Sequence, residues 1–188
     1  MITRRRFSVG IGAVVLAPGS ALAQTKQKKF VLDPVFQPQS VSYETDLPAG
    51  SVVVDPRNKF LYLIESPFSA RRYGIGVGRA GLEWSGDAVI GKKATWPRWI
   101  PTKDMIKREP AKYGKYAVGM DGGPNNPLGA RALYLYQNGR DTYYRIHGTI
   151  EPWTIGKAVS NGCIRMTNDN VIELYERVHI GTTVVVLG

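Results

Sequence analysis

Hydrophobic positions along the chain fall into short runs, most of them alternating with polar ones, and punctuated by Gly, Pro and Asn. Ser51 to Asp55 and Lys59 to Ile64 flank the compact turn Pro56-Arg57-Asn58, which predicts a β-hairpin. Arg72 to Val77 predicts a third strand, in which Gly74 and Gly76 mark a bulge or the close approach of another backbone. Ala132 to Tyr136 and Thr142 to Ile146 predict a second hairpin across Gln137-Asn138-Gly139-Arg140, where Asn-Gly suits a tight turn. Thr182 to Leu187 predicts a closing strand. Helical spacing is rare. Pro101 to Arg108 is one candidate, with proline at its first turn. Val171, Ile172, Tyr175 and Val178 recur at helical intervals behind Thr167 and Asn168, which supply a cap. Gly78 to Asn126 shows no usable period and yields no element. The pattern predicts a mainly β fold with one or two short helices.

The amino-terminal segment reads differently. Residues 1–23 join a basic start, Thr3-Arg4-Arg5-Arg6-Phe7, to a short apolar stretch and the small-x-small site Ala21-Leu22-Ala23, the form of an export signal. The apolar stretch is shorter than the roughly twenty residues a bilayer span needs. An arginine pair followed by x-Phe resembles the twin-arginine signal, with the general secretory route as the alternative. Either route implies a periplasmic protein with no stable membrane anchor after signal removal. Residues 24–48, with Pro34, Pro38 and Pro48, predict a linker, although Lys29-Phe30-Val31-Leu32 is apolar enough to add an edge strand. Residues 49–188 are left for a single domain. The formal charge of +10 suggests an acidic partner, and for an exported protein that is the anionic cell wall rather than nucleic acid. The charges are scattered, so a merely soluble basic face fits equally well.

Chemistry concentrates around the only cysteine. Cys163 sits in Ser160-Asn161-Gly162-Cys163-Ile164-Arg165, and His147-Gly148-Thr149 lies sixteen positions upstream. A lone thiol forms no intrachain disulfide, so Cys163 is either an inert buried residue or a nucleophile. Its neighbours favour the nucleophile. Gly162 allows close approach of a reacting carbonyl, Arg165 supplies a positive charge, and His147 can take the proton of a thiol whose ordinary pKa is about 8.5.

Those two segments, in that order and spacing, resemble the catalytic domain of the L,D-transpeptidases, the cysteine enzymes that cross-link peptidoglycan. The likeness extends through Gly119-Met120, Asn126-Pro127-Leu128-Gly129, Arg131 to Leu135, Thr154-Ile155-Gly156 and Gly181-Thr182. It implies a β-sandwich-like fold and acyl transfer on peptidoglycan stem peptides, with no metal or other cofactor. Cys163 would attack the bond between diaminopimelate and D-alanine, with His147 as base. The Gly148 carbonyl would orient the imidazole, and the backbone N–H of Cys163, with that of Gly162, would stabilise the oxyanion. Ser160 would bond within the loop or to His147, or serve the turn alone. Arg165 would bind a substrate carboxylate or lock the loop through a buried pair, with Asn161 and Thr149 also facing substrate. At Asn161 many relatives carry His.

Two other fates of the thioester or the domain remain open on sequence: hydrolysis, which gives an L,D-carboxypeptidase, and a non-catalytic wall-binding module. A papain-like peptidase is disfavoured, because there Cys precedes His. Trp84, Trp96 and Trp99 either line a groove for a sugar–peptide substrate or pack loops on the sheet. His179 falls beyond the last helix and suits a helix end better than a second base. Gly74, Gly76 and Gly78 lack the context of a phosphate loop.

Overall fold

Alternating burial turns the apolar runs into strands of one large sheet. A computed structural model describes residues 30–188; the expected export signal and the start of the expected linker lie outside the described residues. In chain order the strands are β1 (Gln39–Ser42), β2 (Val52–Asp55), β3 (Phe60–Ser66), β4 (Ser69–Gly74), β5 (Val77–Gly78) and β6 (Gly86–Thr95). They continue with β7 (Arg131–Gln137), β8 (Arg140–His147), β9 (Ala158–Ser160), β10 (Ile164–Arg165) and β11 (Thr183–Val186). The helices are α1 (Lys103–Arg108), α2 (Pro110–Tyr113) and α3 (Asn168–Arg177). Nine strands form one sheet in the order β1-β4-β3-β2-β11-β6-β7-β8-β10, and β5 pairs with β9.

Such a sheet cannot stay flat and bury one face. Leu61 and Tyr73 near one end share a buried cluster with Ile146 and Ile164 at the other, and with Val171 and Leu174 of α3. The sheet therefore wraps round its core, and α3 covers the remaining opening. The hairpin turns follow their sequences. Asn138 and Gly139 take φ of 51° and 74°, the paired positive values that Asn-Gly provides most cheaply. Thr167 caps α3 by accepting from the Asn170 N–H at 3.3 Å. Its far end has no glycine stop; instead Lys93 of β6 donates to the Tyr175 and Val178 carbonyls, both at 2.6 Å.

Four expectations are corrected. The third strand begins earlier and ends at Gly74; Gly76 and Gly78 belong to the approach of other segments. A Cβ at Gly76 would meet the Thr154 carbonyl at 2.7 Å, and one at Gly78 the Gly162 Cα at 3.0 Å. Within the expected linker, Gln39–Ser42 pairs antiparallel with β4, so an edge strand lies here, whereas Phe30-Val31-Leu32 forms none and Lys29 lies outside the described residues. Tyr43 and Leu47 then cover Val53, Ile64 and Ala70 on the outer face of the sheet. The first helix begins at Lys103 with Thr102 as its cap, which leaves Pro101 outside it. The aperiodic Gly78 to Asn126 stretch contains β6, the longest described strand. Its register shifts between Ile90 and Lys92, and Gly91 leaves room for the Tyr136 ring to lie against the backbone.

Candidate active site

β8 ends on His147, and Cys163 immediately precedes β10. The two strands pair in parallel with Ile164 opposite Ile146 and Arg165 opposite His147. Neighbouring strands lie about 4.8 Å apart, so the thiol and the imidazole come from adjacent strands two residues apart along them, and both line one cleft of about 1470 Å³. The turn before Cys163 is held by Ser160, whose Oγ donates to the Cys163 carbonyl at 2.6 Å and accepts the Gly162 N–H at 3.1 Å. Gly162 has φ of 120°, and a Cβ there would meet the Leu82 carbonyl and the Tyr144 ring, each at 2.9 Å. Glycine is thus required on two counts. The same geometry removes one expected donor: the Gly162 N–H is already bonded to Ser160. The Cys163 N–H has no partner among the described residues and remains for an oxyanion.

His147 is only 5% exposed. Its Nδ1 lies 2.5 Å from the Gly148 carbonyl. A carbonyl only accepts, so Nδ1 carries the hydrogen and Nε2 is the basic nitrogen. Burial, and then the charge of Arg165, hold the imidazole down to a pKa of about 4 against the pull of the Gly148 carbonyl. Burial pushes the Cys163 thiol up, opposed by the Arg145 backbone and by the charges of Arg145 and Arg165. Near neutral pH the pair is therefore thiol and imidazole, not thiolate and imidazolium.

The remaining predicted residues fall in distinct places. Arg165 bonds Glu151 at 2.8 Å and Thr154 at 3.4 Å, while its Nε is buried without a partner. It locks the loop and still borders the cleft. Thr149 is buried at 3% exposure, and its Oγ1 accepts the Glu151 N–H at 3.0 Å, closing the turn after His147. Asn161 faces the helical flap instead of open solvent. Its Oδ1 accepts from Arg79 at 2.7 Å and Arg108 at 2.8 Å, and its Nδ2 donates to the Tyr113 hydroxyl at 3.1 Å. His179 lies outside the residues lining the cleft; its backbone N–H donates to Thr182. Trp84 stacks on Tyr144, and Trp99 packs edge-on against Tyr113 and Tyr116. Only Trp96 of the three is both exposed and cleft-lining.

Two supports escaped the sequence reading. Asn168 reaches back from α3 to accept the Ala130 N–H at 3.0 Å and packs where a Gly148 Cβ would otherwise stand, which fixes the carbonyl that orients His147. Arg145 lies level with Cys163, held by two bonds to Asp141 at 2.6 and 2.8 Å and lying over the Tyr134 ring at 4.3 Å. Residues two apart on a strand share a face, so Arg145 was detectable from the position of His147.

A sole thiol beside a neutral, oriented imidazole in an open cleft defines a site suited to acyl transfer by a cysteine. The family model of the L,D-transpeptidase catalytic domain, YkuD, matches residues 49–186, and the chain belongs to that family. The probable L,D-transpeptidase ErfK/SrfK of Escherichia coli K12 is 34% identical over 153 residues, 80% of this chain and 47% of the relative. Its Salmonella typhimurium counterpart is 41% identical over 116 residues, 60% of this chain and 36% of the relative. The chain thus spans less than half the length of these curated relatives. Among solved structures, a Brucella melitensis protein named a probable carnitine operon oxidoreductase is 59% identical, covers 83% of this chain and 96% of its own, and has a TM-score of 0.58. An Enterococcus faecium L,D-transpeptidase shares the fold at 16% identity, with 75% and 50% covered and a TM-score of 0.52.

Proposed function

We infer that this chain is a peptidoglycan L,D-transpeptidase acting through Cys163. His147 Nε2 takes the Sγ proton as sulfur bonds to the carbonyl carbon of the third stem residue, a diaminopimelate. The negative oxygen that develops is met by the Cys163 N–H. The C–N bond to D-alanine then breaks, His147 returns the proton to the departing amine, and a thioester remains. An acceptor amine attacks it, loses its proton to His147, and the thiol is restored with a 3→3 cross-link formed. Water in place of the amine gives L,D-carboxypeptidase activity through the same intermediate. The observation that supports this reading is the pairing of β8 with β10, which brings Cys163 and a His147 imidazole in the tautomer a base requires into one cleft.

Family membership and the export signal together favour a periplasmic enzyme working on the wall, and the basic charge suits that polyanion. A non-catalytic wall-binding module would need neither the oriented His147 nor the Ser160-braced turn. The oxidoreductase name of the Brucella protein has no counterpart in the residues here: one cysteine offers no dithiol pair, and Gly76-Val77-Gly78-Arg79-Ala80-Gly81, which has the glycine spacing of a dinucleotide loop, opens no helix and leads instead into β6.

The deciding experiment incubates the mature protein with purified disaccharide-tetrapeptide and separates the products by mass. Dimers lacking one D-alanine are expected. Tripeptide monomer alone, even at high acceptor concentration, would mean carboxypeptidase. Intact-mass spectrometry with a carbapenem is expected to show one adduct on the wild type and none on Cys163→Ala; equal labelling of the variant would remove Cys163 from the mechanism.

A further inference from the structure

Four described residues other than glycine adopt positive φ: Lys59, Trp96, Asn138 and Tyr143. Lys59 and Asn138 belong to the tight turns of the two hairpins. Trp96 and Tyr143 are bulky aromatics, for which this conformation is costly, and both line the cleft. Tyr143 lies on the bulged stretch of β8, where its carbonyl stands 3.9 Å from the Cys163 sulfur. Its conformation thus belongs to the reacting centre. That of Trp96 does not.

Trp96 follows the end of β6 with φ of 44°, and its N–H donates to the Ala130 carbonyl at 2.9 Å. Gly122 packs directly on the Trp96 carbonyl, where any Cβ would collide. Held in this way, the side chain is 47% exposed at the cleft instead of buried in the core. An indole so placed offers a flat apolar face with a polar edge. Nearby, Arg98 is paired with Asp121, and both side chains remain more than half exposed. A flat aromatic face flanked by fixed hydrogen-bonding groups suits a pyranose ring, which presents C–H bonds on its face and hydroxyl or amide groups at its rim.

Cys163 is level with Arg145, which is opposite Tyr134, and Tyr134 is opposite Lys92. Trp96 is therefore three strands from Cys163 and four residues further along, about 20 Å between Cα atoms in a regular sheet. Three extended residues reach about 10–11 Å, so the stem bridges this gap together with the ether that joins it to the sugar and with the reach of the indole and thiol side chains into the cleft. The cleft, at about 1470 Å³, also exceeds the roughly 300–1,000 Å³ of a pocket for one small ligand.

Resting on the transpeptidase reading above, we propose that Trp96 is a saccharide platform: the N-acetylated sugar of the donor stacks on its indole while the stem runs along the cleft to Cys163. The enzyme then selects stems still attached to glycan over free peptide.

Calorimetry on the Cys163→Ala protein, which binds without turnover, tests this with disaccharide-tetrapeptide and with free tetrapeptide of the same sequence. The disaccharide is expected to improve affinity about tenfold, the scale of one aromatic contact. In Cys163→Ala/Trp96→Ala that ratio falls to about one, and Cys163→Ala/Trp96→Phe keeps most of it, which separates loss of the platform from loss of the fold. Equal affinities in the parent, or a ratio that survives Trp96→Ala, overturn the platform while tetrapeptide binding leaves the transpeptidase reading standing. Binding of neither ligand overturns the platform, and absence of both tetrapeptide binding and the wild-type carbapenem adduct overturns the transpeptidase reading itself.

Discussion

Protonating His147 in place would put a charge at a site only 5% exposed and beside Arg165, so the imidazole stays neutral down to about pH 4. Two consequences can be measured. Cys163 is pushed up by burial, so little thiolate exists beforehand, and acylation depends on proton transfer to His147. Carbapenem acylation is expected to hold down to about pH 5 and to decline only as His147 protonates. In His147→Ala the rate falls roughly 10²–10⁴-fold near pH 7 and climbs with pH, since only pre-formed thiolate then reacts. A wild-type rate that already halves near pH 6.5 would contradict the neutral-base assignment. Stability carries the same signature. Between 6.5 and about 4 the unfolded chain takes a proton on this histidine that the native state refuses. Stability is therefore complete above the upper value and is lost as pH falls, by about 3 kcal/mol at ~1.4 kcal/mol per pH unit. Urea titrations across that window should show a flatter acid limb for His147→Gln.

The flap formed by α1 and α2 is tied to the nucleophile turn by side chains, not by a sheet. Arg79 bonds both Asn161 and Glu109, Arg108 bonds Asn161, and Tyr113 receives the Asn161 amide. Asn161→Ala removes the common partner, leaving Arg108 to water and Arg79 on Glu109 alone. Amide exchange over residues 103–116 is expected to rise about tenfold, the effect of losing one or two charge-assisted bonds, while β7 and β8 keep their protection. Unchanged exchange in the flap would mean that the Arg79–Glu109 pair and Trp99, packed on Tyr113 and Tyr116, hold it without Asn161. This junction also marks how far the sequence could be read. The two hairpins, α3 and the Cys–His spacing were legible because each rests on local signals: turn residues, periodicity, a cap and a motif. β6 was not, because Gly86, Gly91, Lys92 and Lys93 break its alternation; it becomes a strand through β7 and β11, which are distant in the chain. Asn161 was expected to face substrate and was noted as a departure from many relatives; its bonds to Arg79, Arg108 and Tyr113 left no local signal, since those partners lie 48 to 82 residues away. Gly162 was expected to donate to the oxyanion, and the bond from its N–H to Ser160 is a three-dimensional fact that no spacing reveals.

At the scale of the molecule, the order of strands sets which end of the chain matters. β11 lies in the middle of the nine-stranded sheet, parallel to β2 and antiparallel to β6. Within that sheet it joins the first hairpin to the half bearing Cys163 and His147, which the Gly76–Arg165 bridge also ties to the chain beyond β4. Among the described residues β1 is an edge strand that pairs with β4 alone. Its segment adds Phe36 against Phe60 and a cover of Tyr43 and Leu47 over Val53, Ile64 and Ala70. Two truncations should then behave oppositely. Ending the chain at Thr182 removes β11, leaves the inward faces of β2 and β6 without their shared partner, and is expected to give no cooperative thermal transition and no carbapenem adduct. Starting it at Asp46 removes β1 and Phe36 and exposes part of the outer face, but leaves the core that carries β8 and β10. That protein is expected to unfold cooperatively with Tm lower by about 5–10 °C, the shift that ~2–3 kcal/mol produces in a domain of this size, and to acylate at a rate close to wild type. Scanning calorimetry and intact-mass spectrometry on the two proteins read both outcomes. Loss of acylation in the amino-terminal truncation, with its melting transition intact, would show that the edge strand acts on the site across the whole width of the sheet.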